Sequence, residues 1–396
     1  MPPRPLAIAL VATLLLAFAQ PALATPYVAP RGKVLVGVAG GRTVGGYARQ
    51  AGKNPAVFQV FVAWGDRFSY ANRRARQARA GLMVHLSTYN GPGTRERISP
   101  RDIALGRGDR YLYALNRRFA RSRHPVYLRL FSEMNNAANP YSAFDHAGHA
   151  RGRAHSTSWF RQAWRRVYLT VKGGRVRTID RELRAVGLPA LSRLPQWSNV
   201  RAAGVIARAD RGRPPIRRQV RTVRWLPRPH VAVQWVPMTA GSPDIESNGP
   251  AHYWPGGRYV DWVGTDFYSR FPNFAGLSRF YNTEPYARRP FVFGEWGMWG
   301  RDDPAFMRSF FDWVAEHRRV RMLAYYQGNR TTSPFRLYRY PKAASVMREA
   351  LRSPLYTGRP LPLAQDPSAP VRCRSHGRCD RSRRHAGCDR AAGLPT

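Results

Sequence analysis

Two glutamates end stretches that otherwise read as core. Glu133 closes the run Val126-Tyr-Leu-Arg-Leu-Phe-Ser, and Glu295 closes Pro290-Phe-Val-Phe-Gly. Both runs are short, apolar and rich in β-branched or aromatic residues, so each reads as a buried strand. A carboxylate is rarely left in a core without a reason. Acids at the C-terminal ends of buried strands are what a (β/α)8 barrel enzyme uses, because that face carries the chemistry. Two of them suggest glycoside hydrolysis, which needs one carboxyl to protonate the leaving oxygen and one to attack the sugar or activate water.

The elements that must deliver these acids follow along the chain. Lys33–Ala39, Val57–Trp64 and Gly81–Tyr89 read as parallel strands buried on both faces, with helical stretches between them. Ile98–Arg123 carries Ile103, Leu112, Leu115 and Phe119 on one side and leads into the run that ends at Glu133. Further strands are read at His230–Pro237, Tyr259–Tyr268, Pro290–Glu295 and Met322–Gln327, with a helix over Ala305–Arg318. Eight strands, most separated by helical stretches, predict a (β/α)8 TIM barrel rather than a doubly wound sheet. Period-two alternation predicts that Arg129, Phe131 and Glu133 share a face, and that Gly264, Asp266 and Tyr268 share another. A plain pairing of Glu133 with Arg129 is the structural alternative to a catalytic role.

Residues 1–24 read as a cleaved secretory signal: Arg4, an apolar run from Leu6 to Ala19, and Ala22-Leu-Ala24 before the cleavage point. The barrel is expected over 25–355, with an Arg-, Pro- and Gly-rich external insertion at about 172–230 holding short helices near Ile179–Val186 and Trp197–Ala207. Residues 356–396 read as a Pro- and Arg-rich disordered tail. Cys373, Cys379 and Cys388 all fall in that tail, an odd number whose spacing with His376 and His385 fits no standard zinc pattern. No metal and no cofactor are expected.

The net charge is +42, with 65 Lys and Arg against 23 Asp and Glu, and only Lys33, Lys53, Lys172 and Lys342 are lysines. A nucleic-acid partner is disfavoured, since no zinc-finger spacing, RNA-recognition signature or phosphate loop accompanies the charge. Arginine bias in the genome is one account of it. Attraction to an anionic cell envelope is another.

Several segments together resemble glycoside hydrolase family 26, whose best-known members are β-mannanases. Pro125-Val-Tyr-Leu-Arg-Leu-Phe-Ser-Glu-Met-Asn135 is similar to the family stretch P-V-x-x-R-x-x-H-E-M-N. The likeness extends to Asp109-Arg-Tyr-Leu, Ala163-Trp-Arg-Arg, Val233-Gln-Trp-Val-Pro237, Pro255–Tyr268 and Pro290–Glu295, within residues 33–350. It implies a barrel with a retaining mechanism, Glu133 as acid/base and Glu295 as nucleophile. It places Asp266 and Tyr268 where members hold the sugar and the nucleophile, and Arg129 and Asn135 join them as binding residues. A retaining pair needs its carboxyls about 5–5.5 Å apart, with Arg129 keeping Glu295 ionised.

Trp235, Trp296 and Tyr326 are candidate platforms for a pyranose face, with core packing the other reading of each. Two departures concern the substrate. Ser132 stands where family mannanases carry histidine, and Tyr325-Tyr-Gln327 stands where a tryptophan commonly supports the sugar. The expectation is a secreted, monomeric retaining endo-β-glycanase acting on β-1,4-mannan-type polysaccharide, with xylan or mixed-linkage β-glucan as the alternatives. A non-catalytic wall-polysaccharide binder has no need of the two acids.

Overall fold

The computed structural model describes residues 27–41, 44–191, 195–196, 221–330 and 332–362. The expected signal segment, the second insertion helix and the three cysteines lie outside the described residues.

Eight parallel strands form the barrel: β1 (Val34–Ala39), β2 (Val57–Ala63), β3 (Gly81–Ser87), β4 (Val126–Leu130), β5 (Val231–Trp235), β6 (Trp262–Tyr268), β7 (Phe291–Gly297) and β8 (Val320–Tyr326). Each pairs with the next in chain order. The barrel closes where β8 pairs with β1, from Leu35 opposite Met322 to Ala39 opposite Tyr326. All eight strand regions expected from the pattern are present, because Val, Phe, Leu and Tyr suit a pleat buried on both faces.

Alternation along the strands feeds two apolar shells. Leu35, Val57, Met83, Tyr127, Trp262, Val292 and Met322 fill the inside of the barrel. Val36, Phe58, Val84, Leu128, Val233, Val263 and Phe293 face outward against the helices. The helix Thr157–Lys172 shows how these are set: Ser156 caps it by accepting from the Trp159 amide at 3.1 Å, and Phe160, Trp164 and Val167 enter the outer shell. Its buried Arg166 grips Asp109, at the start of the helix Asp109–Phe119, through bonds of 2.6 and 2.5 Å. The segments around Asp109 and Arg166, far apart in sequence, meet there.

The region 172–230 contains a helix, Val176–Ala185, whose Ile179 and Leu183 join the outer shell. Its two flanks are tied by short antiparallel pairs, Gly174–Arg175 with Trp225–Leu226 and Pro195–Gln196 with Arg221–Thr222. Residues 356–357 were expected in the tail. Tyr356 is buried and Tyr356–Thr357 pair with β1, so these residues belong to the barrel. Among the described residues no helix is long and apolar enough to cross a membrane.

Candidate active site

At the C-terminal ends of the strands lies a cleft of about 700 Å³ whose lining includes Gln59, His85, Arg129, Glu133, Asp266, Glu295 and Tyr326. Its charged centre is Arg129, on β4, whose side chain is 1% exposed. The guanidinium bonds Asp266 from β6 with one nitrogen and Glu295 from β7 with another. The pairing of Arg129 with Glu133 weighed above is therefore not the one formed.

Glu295 is held by three donors. Arg129 and the Gln59 amide, the latter at 3.3 Å, reach Oε1, and the Tyr268 hydroxyl donates to Oε2 at 2.8 Å. Its own backbone N–H donates to Asp266 Oδ1 at 2.7 Å. A carboxylate that accepts this many bonds beside a guanidinium is fixed in orientation.

What aims Glu295 inward is an irregularity in β7. Phe293 pairs with Thr265 and with Leu323, whereas Trp296 pairs with Phe267 and with Tyr325. Gly294 and Glu295 thus stand opposite a single residue on either side, a bulge that reverses the alternation after Phe293. Gly294 is required at this point, since a Cβ there would lie 2.6 Å from Arg129 Nε. The bulge also sends Trp296 out of the site. It is 1% exposed and stacks on Phe310 at 4.1 Å in the outer shell.

Glu133 is aimed by a different device. Phe131 and Glu133 have positive φ, 42° and 49°, uncommon for residues with a side chain. The strand ends at Leu130, and the turn breaks the expected alternation: Phe131 packs outward against Trp64, Tyr141 and Phe160 and does not share a face with Arg129. The turn is anchored by the Glu133 amide donating to Val236 O at 2.7 Å and by Asn139 and Tyr141 donating to backbone carbonyls of 132 and 133. The Glu133 carboxyl accepts from Asn136 at 2.9 Å and lines the same cleft as Asp266. Burial first, then the charges of Glu295 and Glu133, push the Asp266 carboxyl well above its ordinary range, with Arg129 opposing.

Other expectations are corrected. Trp235 is fully buried on the outside of the barrel, between Trp254 and Tyr286 at 4.8 and 4.9 Å, because the inward position belongs to its neighbour Gln234. Asn135 is also fully buried, and its amide is spent on the backbone of Met238 and Ala240, fixing the loop after β5. Tyr326 does line the cleft, with Phe61 and Tyr268 nearby.

Gln59, His85, Tyr89 and Trp299 were not among the expected site residues. Gln59 and His85 each interrupt an otherwise apolar strand, which was a usable signal. His85 Nε2 is 3.1 Å from Ser132 Oγ and its Nδ1 is 3.9 Å from Glu295. Burial, then the Arg129 charge, lower its pKa well below the usual value, so the ring is neutral. An imidazole thus reaches the acid's neighbour from β3, where Ser132 itself brings none. Trp299 follows β7 and meets Tyr268 at 5.8 Å and Phe335 at 5.1 Å, an aromatic rim at the barrel mouth.

No protein-family model matches the sequence, and no curated protein matches it. Solved structures do. A β-mannanase of glycoside hydrolase family 26 from Bacteroides ovatus has a TM-score of 0.50 at 15% identity, covering 82% of this chain and 90% of that one. The chain shares its barrel fold. A modular endo-β-1,4-mannanase from Cellulomonas fimi gives 0.48 at 14% identity, over 86% of this chain and 77% of that one. A family 26 protein from a Muricauda species gives 0.48 at 13%, over 82% and 91%.

Proposed function

We propose that this chain is a retaining glycoside hydrolase of family 26, secreted, that cleaves internal bonds of a β-1,4-mannan-type polysaccharide. The observation that carries the reading is the pair of differently held acids in one cleft. Glu295 is fixed by Arg129, Gln59 and Tyr268, while Glu133, in the same cleft, accepts from the Asn136 amide. That difference supports reading the first as the nucleophile and the second as the proton donor.

In the first step Glu295 attacks the anomeric carbon while Glu133 gives its proton to the departing glycosidic oxygen. In the second, Glu133 takes a proton from water, the resulting hydroxide attacks the same carbon, and Glu295 leaves as carboxylate. Two inversions give net retention. Reducing-sugar release from mannan, glucomannan, xylan and β-glucan tests the substrate. Proton NMR of the first product tests the stereochemistry, and an inverted anomer would overturn the mechanism.

The two acids should separate by leaving group. Glu133→Ala is expected to lower turnover of polysaccharide by about 10²–10⁴-fold, the usual worth of general acid–base help. Formation of the glycosyl-enzyme from a dinitrophenyl glycoside, whose leaving group needs no proton, should lose less than about tenfold. An equal loss on both substrates counts against Glu133 as the acid.

Tyr268→Phe removes one bond to Glu295 and little else. A hydrogen bond to a charged group is worth about 1.5–3 kcal/mol, so kcat should fall about 10- to 100-fold. Unchanged kcat in a folded variant would remove Tyr268 from the mechanism.

A further inference from the structure

The cleft has two ends of opposite character. One holds Glu133, Asp266 and Glu295 around Arg129. The other is built from Gly40 and Gly41 after β1, Asn329 after β8, and the helix Ser69–Gln77 after β2, which brings Tyr70 and Arg74 into the lining.

Arg74 is set in place from several sides. Its guanidinium carbon lies 5.7 Å from the Phe58 ring and 5.7 Å from the Tyr70 ring, and one nitrogen donates to Gly41 O at 2.9 Å. Tyr70 is 49% exposed and has Arg73 5.9 Å from its ring as well. An exposed ring with two guanidinium groups close by, in the lining of a sugar-sized cleft, sets an aromatic side chain beside planar N–H donors. That combination suits a sugar ring bearing an anion, since arginine stays charged at all relevant pH and matches carboxylate or sulfate geometry.

We propose that this end of the cleft is a subsite for an anionic sugar unit, so that the substrate is an acidic glycan whose carboxylate or sulfate rests on Arg74. The inference rests on the glycosidase reading and deepens it. The other end carries Glu133, Asp266 and Glu295 against the single Arg129, so the position between Glu133 and Glu295 suits a neutral unit better than an anionic one. Cleft polarity therefore fixes the register of the chain. The net charge of +42 acts in the same sense, drawing a polyanion to the protein before it finds the cleft.

The test uses one β-mannan stock in three forms: unmodified, lightly oxidised to carboxylate at C6, and lightly sulfated. The quantity read is the ratio of kcat/KM on each anionic form to that on the neutral form. For the wild type a ratio of about ten at low salt is expected, falling as salt screens the attraction. Arg74→Gln should reduce the ratio about tenfold and Arg74→Lys by less, with thermal melts confirming the fold. Arg121→Gln removes one remote surface charge and should leave the ratio as it is. Preference for the carboxylated form alone identifies a uronic unit, and for the sulfated form alone a sulfate ester.

A ratio near one for the wild type, or one that Arg74→Gln and Arg121→Gln change equally, overturns the subsite. If the wild type cuts none of the three polymers, the glycosidase reading fails instead. Affinity electrophoresis of wild type and Arg74→Gln in the same polymers then decides the subsite alone: equal retardation of the two proteins overturns it.

Discussion

Replacing Glu295 with alanine is expected to stop polysaccharide cleavage, lowering kcat by roughly four to six orders of magnitude, the scale of losing one member of a catalytic set. The fold should survive. Arg129 keeps Asp266 as a partner, so no buried charge is stranded. In the proposed mechanism the space vacated by the carboxylate lies on the face from which the anomeric carbon is attacked. Azide added to Glu295→Ala should occupy it, form a bond to that carbon, and expel the leaving group with a proton from Glu133. The product would be a glycosyl azide of inverted configuration, identifiable by NMR. An adduct of retained configuration, or near-normal turnover without azide, would show that attack comes from elsewhere.

Arg129→Ala should damage both activity and stability. The guanidinium is buried between Asp266 and Glu295, and removing one partner of such a cluster typically costs about 3–5 kcal/mol, because the remaining charges have no compensation. Urea unfolding should show that loss, and kcat should fall with it as Glu295 loses a donor. A second variant separates the two effects. In Asp266→Asn the Arg129→Ala change should cost less, since one uncompensated carboxylate is already gone, and the difference is the coupling energy of the pair. A loss below about 1 kcal/mol in the single variant, or strict additivity in the double, would mean that Arg129 does not bind the cluster together.

Much of this molecule could be read from its residues. Eight apolar strand patterns led to the barrel, since buried parallel strands leave a strong compositional trace. Glu133 and Glu295 stood out as acids where apolar residues belong, and the structure brings both into one cleft with Arg129, Asp266, Tyr268 and Tyr326. What failed was the direction of side chains near strand ends. Alternation assumes an unbroken pleat, yet the Gly294–Glu295 bulge reverses it in β7 and the left-handed turn at Phe131 and Glu133 reverses it after β4. Trp296 and Phe131 were misplaced for that reason. Trp235 and Asn135 failed differently: nothing local distinguishes an aromatic ring for sugar from one for core, or an amide for ligand from one that ties a loop. Gln59 and His85 were legible in principle, as polar residues inside apolar strands, but an isolated polar residue is a weaker sign than a terminal acid.

The closure of β8 onto β1 bears on how the protein is made. Leu35 leaves the ribosome early and its partner Met322 near the end, so the first strand waits through most of synthesis without one of its neighbours. Until then both it and β7 present open backbone edges, the kind of surface on which chains join one another. The loops after β1 and β8 that carry Gly41 and Asn329 come together only on that last pairing. Chains cut short before β8 should therefore clump rather than persist as partly active fragments, and the far end of the cleft is the part of the site that every interrupted chain lacks.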